Sequence, residues 1–204
     1  MAKYRGEEKS GKLGDKIYSS WHGRPYVRQR PETVANPRTE PQQAHRNAFA
    51  EVSRLSSAMK AGHQIGLHQK ALRDKMNTHC VFKKLNKDCF GPDGIDYPRI
   101  KLSFGTVSSV NITAVRVDTQ GGVHVEFHDH YVTPKNKHDE FFLFVFCPDL
   151  REGRCAHPVE RTANVVDAKI PDNWLGHPLQ LYAFMRNAQG RTSDTMYLGE
   201  FITE

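Results

Sequence analysis

The chain has 204 residues, 38% of them hydrophobic and 25% charged, which is ordinary for a soluble globular protein and enough for one large core or two smaller ones. No run of about 18 apolar residues exists to cross a bilayer, so no membrane partner is expected, and the opening MAKYRGEEKSGKLGDK lacks the apolar block of a secretory signal, which makes a cytoplasmic setting the expectation. The formal charge of +6 is unevenly placed: residues 1–90 hold 18 Lys+Arg against 8 Asp+Glu, and residues 91–204 hold 11 against 15, so a basic first part faces an acidic second one.

In chain order, KIYSSWHGRPYVRQR (16–30) alternates larger apolar and polar residues around His22-Gly23, and the glycine suits a two-residue turn; it reads as a β-hairpin. Ile17, Trp21, Tyr26 and Val27 would supply its apolar surface. Arg24, Arg28 and Arg30 share a parity and would form a row on one strand face. A helix signal follows: Thr39 is a candidate N-cap, Glu40 suits the positive helix end and Pro41 is tolerated in the first turn. Ala48, Phe49, Val52, Leu55 and Met59 recur at three and four residues, which predicts one buried stripe on a helix reaching about Ala61 and stopped by Gly62. A second helix is predicted near 64–75 and a third from Asn77 or Thr78, with Val81, Phe82, Leu85 and Cys89 on its apolar face.

GPDG at 91–94 is a breaker, and beyond it the period changes from helical to alternating. A division follows: 1–90 as a basic hairpin and helical region, 91–204 as a β domain. Strands are predicted in RIKLSFG, NITAVRVD, GVHVEFHDH, EFFLFVFC, ANVVDAKI, LQLYAFMRN and SDTMYLGEF, a spacing that argues for an antiparallel β-sandwich. TQGG (119–122) and NAQGR (187–191) would close hairpins, and the apolar run EFFLFVFC would be covered on both faces. The four cysteines include no C-x-x-C unit, so structural zinc is not expected; Cys80, Cys89 and Cys147 read as packing residues, and Cys155, in the loop-like REGRCAHP, as an exposed thiol.

GKLGDKIYSSWHGRPYVRQRP, NPRTEPQQAHRNAF, VHVEFHD, DEFFLFVFCP and IPDNWLGHPLQLYAFMRNAQGRTSDTMYLG together resemble a gut-bacterial, Bacteroidetes-type family of unknown function. The resemblance covers almost the whole chain and implies an α+β fold: an N-terminal β-hairpin and helices followed by an antiparallel immunoglobulin-like β-sandwich. The N-P-R-T-x-x-Q unit is also similar to a segment of phage-encoded proteins, which implies assembly work. No functional residue is carried over from either.

On the strand VHVEFHDH, His124, Glu126, His128 and His130 would share one face. Imidazoles and a carboxylate could ligate a transition metal, yet residues two apart on a strand are nearly 7 Å apart, so the wet face of a half-buried strand explains them better. Trp174, Tyr131 and His177 could line an aromatic groove, against core packing as the simpler reading. No nucleophile elbow, phosphate-cradling loop or H-E-x-x-H helix is present, so no catalytic residue and no cofactor are assigned. The expectation is a non-catalytic interaction or assembly module, in which Trp21, Arg24, Tyr26, Arg28, Arg30 and Arg38 dock on an acidic protein partner or another copy. Nucleic-acid binding is an alternative, weakened by the absence of a denser basic cluster, and carbohydrate or metal binding by the sandwich is another.

Overall fold

The computed structural model describes residues 3–5, 8–21, 24–33, 38–91 and 94–203, with the backbone alone at 3–5, 8, 9 and 21. The chain divides into two compact units, Met1–Gln43 and Ala44–Glu204. The first is a four-stranded antiparallel meander of β1 (Lys3–Arg5), β2 (Glu8–Leu13), β3 (Lys16–Trp21) and β4 (Arg24–Gln29). The predicted hairpin is its β3–β4 pair, in register from Lys16 opposite Gln29 to Trp21 opposite Arg24. Its turn at His22-Gly23 lies outside the described residues. The two strands before it were not anticipated, because Gly11 and Gly14 break the alternation there; Gly14, at φ +60°, opens the two-residue turn between β2 and β3.

Helix α1 (Glu40–Ala58) runs across the division into the second unit and is followed by α2 (Lys60–Gly66), α3 (His68–Arg73) and α4 (Thr78–Asn86). Asn77 caps α4, its side chain accepting from Cys80 N at 2.8 Å. The expected stop at Gly62 is not one. Gly62 is buried within α2, where an added Cβ would stand 3.0 Å from Phe144 Cδ2, so the glycine permits close packing of the helix on a strand. The apolar stripe of α1 is also corrected: Val52, Leu55 and Met59 are buried, whereas Ala48 and Phe49 are exposed.

A short pair, β5 (Phe90–Gly91) and β6 (Gly94–Ile95), flanks Pro92-Asp93, which lie outside the described residues. Next come β7 (Asn111–Val117), β8 (Gly122–His128), β9 (Glu140–Cys147), β10 (Glu152–Cys155), β11 (Val159–Glu160), β12 (Val165–Lys169), β13 (Pro178–Arg186) and β14 (Met196–Ile202). They form two antiparallel sheets: β12-β8-β7, and β10-β9-β13-β14 with β11 also paired to β9. RIKLSFG is not a strand. Its central amides are claimed by side chains instead of a ladder: Lys101 N donates to Asn86 Oδ1 at 2.7 Å, and Leu102 N and Ser103 N both donate to Thr195 Oγ1 at 2.8 Å.

β9 and β13 lie in the middle of the larger sheet, and their alternation separates two cores. Phe141, Leu143, Val145, Leu181, Ala183 and Met185 face the smaller sheet, where Val123, Val125, Phe127 and Val166 meet them. Phe144, Phe146 and Tyr182 face the other way, against Leu55, Met59, Leu67, Val81 and Phe82 of the helices. EFFLFVFC is thus covered on both faces, as its unbroken apolar run implies. The second unit is layered helix, sheet, sheet.

Candidate functional site

Residues opposite one another in an antiparallel pair share a face, so the register sorts the first sheet. Tyr26 opposes Ser19, Arg28 opposes Ile17, and Ile17 opposes Lys12. One face therefore carries Lys12, Ile17, Arg24, Tyr26 and Arg28, and the other carries Leu13, Lys16, Tyr18 and Val27. Every residue from Arg24 to Arg30 is exposed, and Tyr26, on the same face as Arg24 and Arg28, keeps 45% of its surface in water. Among the described residues, Arg24, Arg28 and Lys12 form no ion pair. An acidic surface could meet this face without first displacing an internal carboxylate.

Of the expected docking residues, Arg24, Tyr26 and Arg28 come together. Arg30 follows the end of β4, its amide donating to Asp15 O at 2.6 Å. Arg38 is exposed just before α1, where its carbonyl accepts from Gln43 Nε2 at 2.7 Å. The side chain of Trp21, and Asn36-Pro37 of the NPRT block, lie outside the described residues.

The histidine strand shows the expected split, with Val123, Val125 and Phe127 buried and His124 and His128 exposed. The four candidate ligands do not converge. Both nitrogens of His124 meet carboxylates, Nδ1 at 2.7 Å from Asp167 and Nε2 at 3.5 Å from Asp118, and those hydrogen bonds raise its pKa above the usual histidine value. His128 and His130 touch edge to face at 4.6 Å between ring centroids, and Glu126 approaches Arg116 at 3.7 Å. Among the described residues, no group of three His, Cys, Asp or Glu side chains is placed to hold an ion.

Trp174, Tyr131 and His177 do not share a groove either. Trp174 is buried, its Nε1 donating to Glu152 at 3.2 Å; Tyr131 is 82% exposed; His177 pairs with Asp149 at 2.8 Å. Cys155, expected in the open, is half-buried on β10, and burial pushes its thiol up to about 11.

A family comparison covers both the basic strand and the two-sheet body. The chain belongs to the Family of unknown function (DUF6266), whose model matches residues 8–199. None of the curated proteins compared with it matches.

Within this DUF6266 chain, two buried polar clusters went unseen in the sequence. Arg161 is fully buried and donates to Asp129, to the Ser108 carbonyl at 2.7 Å and to Asp139 at 3.4 Å. Burial would raise Asp129, but the Tyr131 amide and Arg161 outweigh it and hold that carboxyl low; burial wins at Asp139 and pushes it up. The other cluster joins helices: His63 Nε2 donates to the Ser56 carbonyl at 2.8 Å, and Ser56 Oγ lies 2.9 Å from His79 Nδ1. Burial lowers His63 to about 4. Ser56 lies on α1 and His63 on α2, so this cluster bridges two consecutive helices and carries no single-helix periodicity that the sequence could show.

Proposed function

We propose that this chain is a non-catalytic interaction or assembly module that docks the basic face of its N-terminal sheet on an acidic protein surface, of another protein or of another copy. One observation carries the reading. Among the described residues of 10–33 none is buried, and Leu13, Tyr26 and Val27 are 54%, 45% and 52% exposed. A small sheet needs a covered apolar face for stability, and among the described residues this one leaves apolar side chains in water on both faces, Tyr26 on one and Leu13 and Val27 on the other. A partner that brings carboxylates to Lys12, Arg24 and Arg28 and closes over Tyr26 supplies that cover.

The second unit serves as the scaffold, and its strand order supports an immunoglobulin-like body. The first two long strands, β7 and β8, pair with each other and β8 pairs with β12, while β9 pairs with β13 and β13 with β14, a two-sheet exchange of the Greek-key kind.

The test uses the full chain and an Arg24→Glu/Arg28→Glu variant, with light scattering at low and high salt and titration with fluorescent polyglutamate and single-stranded DNA. Self-association or polyglutamate binding that salt and the double variant both abolish is the expected result. A strictly monomeric chain that is indifferent to salt and ignores polyglutamate overturns it. Selective capture of DNA would move the function to nucleic-acid binding, since arginines flanking an exposed ring also suit phosphates and a stacked base.

A further inference from the structure

The sequence marks Ala48 and Phe49 for burial, in helical register with Val52 and Leu55, but the structure leaves them uncovered: Phe49 is 56% exposed and every residue of α1 from Glu40 to Phe49 faces solvent. A local pattern that contradicts the fold around it marks a functional surface more often than an accident. Beside this stripe runs α4, and between the two helices lies a groove of about 620 Å³. Its floor is Ala48, Phe49, Val52 and Cys80. Its rim is Lys83, Lys84 and Lys87 of the α4 end, set against one lining carboxylate, Asp88. Lys83 Nζ sits 4.9 Å from the Phe49 ring centroid, so the cation already lies over the apolar floor. Among the described residues, none of the three lysines forms an ion pair.

We infer that this groove is a second docking site, independent of the N-terminal sheet, for an acidic helical segment of a partner protein that inserts a bulky apolar side chain against Phe49 and Val52. The charge selects the occupant. Three unpaired lysines around an apolar floor complement an amphipathic segment whose polar flank is Glu or Asp, and the volume suits side chains of anchor size. Two adjacent helices with apolar residues at a three and four spacing are the geometry of helix-in-groove recognition. A nucleic acid would match the lysines and waste the floor.

The experiment titrates the full chain with a fluorescein-labelled helical peptide bearing Leu and Phe at a three and four spacing and Glu elsewhere, and with its Lys counterpart. The Glu peptide should bind at least about tenfold more tightly than the Lys peptide. Phe49→Ser and Lys83→Glu/Lys87→Glu should each weaken it at least about tenfold, whereas Arg24→Glu/Arg28→Glu should leave it unchanged, which separates this site from the sheet. Phe49 and the lysines lie at the surface, and unchanged melting of the variants confirms that they fold. Cys80 gives a local reading, because Cys89 and Cys147 are buried and the Cys155 thiol is pushed up to about 11: bound Glu peptide should slow its alkylation. No binding, equal binding of the two peptides, full binding to Phe49→Ser, or an unchanged Cys80 rate overturns the inference. So does preferential binding of phosphatidylserine vesicles or DNA, or dimerisation that itself protects Cys80.

Discussion

Gly66, the last residue of α2, lies against the backbone of Leu102 so closely that an added Cβ would stand 2.4 Å from the Leu102 carbonyl oxygen. Helix propensity alone makes Gly→Ala favourable by about 1 kcal/mol. Here the obstacle is main chain, which cannot rotate away, and the Gly66 carbonyl is also held by Thr192 Oγ1 at 3.0 Å. Gly66→Ala should therefore destabilise the protein by roughly 1–3 kcal/mol in urea unfolding, opposite in sign to the propensity value. A stabilised variant would show that the segment after Ile100 yields easily.

That segment is pinned by two side chains from distant parts of the chain. Asn86 accepts from Lys101 N and donates to Lys101 O at 3.0 Å and Phe82 O at 2.9 Å, while Thr195 takes the next two amides. Thr195→Val keeps the shape and strands two amides, and about 2 kcal/mol should be lost. Asn86→Leu should cost at least as much. Because the two sites hold consecutive residues, the double variant should cost less than the sum, which a double-mutant cycle in urea reads directly.

The same contacts explain what was legible in advance. Alternation in GVHVEFHDH, the unbroken EFFLFVFC and the glycine turns after Val117 and Arg186 are local signals, and each corresponds to a strand or a hairpin. RIKLSFG alternates as well as any of them, but its outcome depends on Asn86 and Thr195, which lie up to 93 residues away and leave no local trace. Arg24, Tyr26 and Arg28 could be placed on one face by parity. The exposure of Phe49 could not be foreseen, since periodicity shows which residues of a helix share a face and says nothing about how far the core reaches along it.

His63 makes stability fall with acid. Its Nε2 hydrogen faces the Ser56 carbonyl, so protonation must fall on Nδ1, which is buried with no hydrogen-bond partner among the described residues. With a folded value of about 4 against 6.5 for the free side chain, the two states bind protons equally above pH 6.5, and the unfolded state takes the proton first below it. Stability attributable to His63 is thus intact above 6.5, declines as pH falls towards 4 and levels off below, for a total of roughly 3 kcal/mol. Urea midpoints between pH 7 and 4 should drop less steeply in His63→Gln than in the parent. Parallel slopes would mean that the imidazole is not the titrating group.

Arg161 follows β11, Asp139 precedes β9, Asp129 follows β8 and Ser108 precedes β7, so one guanidinium ties the strand ends of both sheets. The apolar faces of the two sheets would still attract one another after a slip; directed hydrogen bonds from a planar cation would not survive it. Arg161→Ala leaves two carboxylates facing each other with their cation gone, and about 3–5 kcal/mol should be lost at pH 7. Asp129 and Asp139 respond to acid in opposite senses. The lowered Asp129 contributes stability above its free value of 3.8 that disappears as pH falls through the folded value, whereas charged Asp139, with its raised value, costs the fold at neutral pH and is relieved by protonation. The triple variant Arg161→Met/Asp129→Asn/Asp139→Asn removes the charges together and should recover most of the lost stability in urea unfolding. If it does, while amide exchange quickens at the ends of β8 and β9, the cluster fixes sheet register more than it adds free energy; if the triple variant is no better than Arg161→Ala, the ion pairs themselves are the stabilising element.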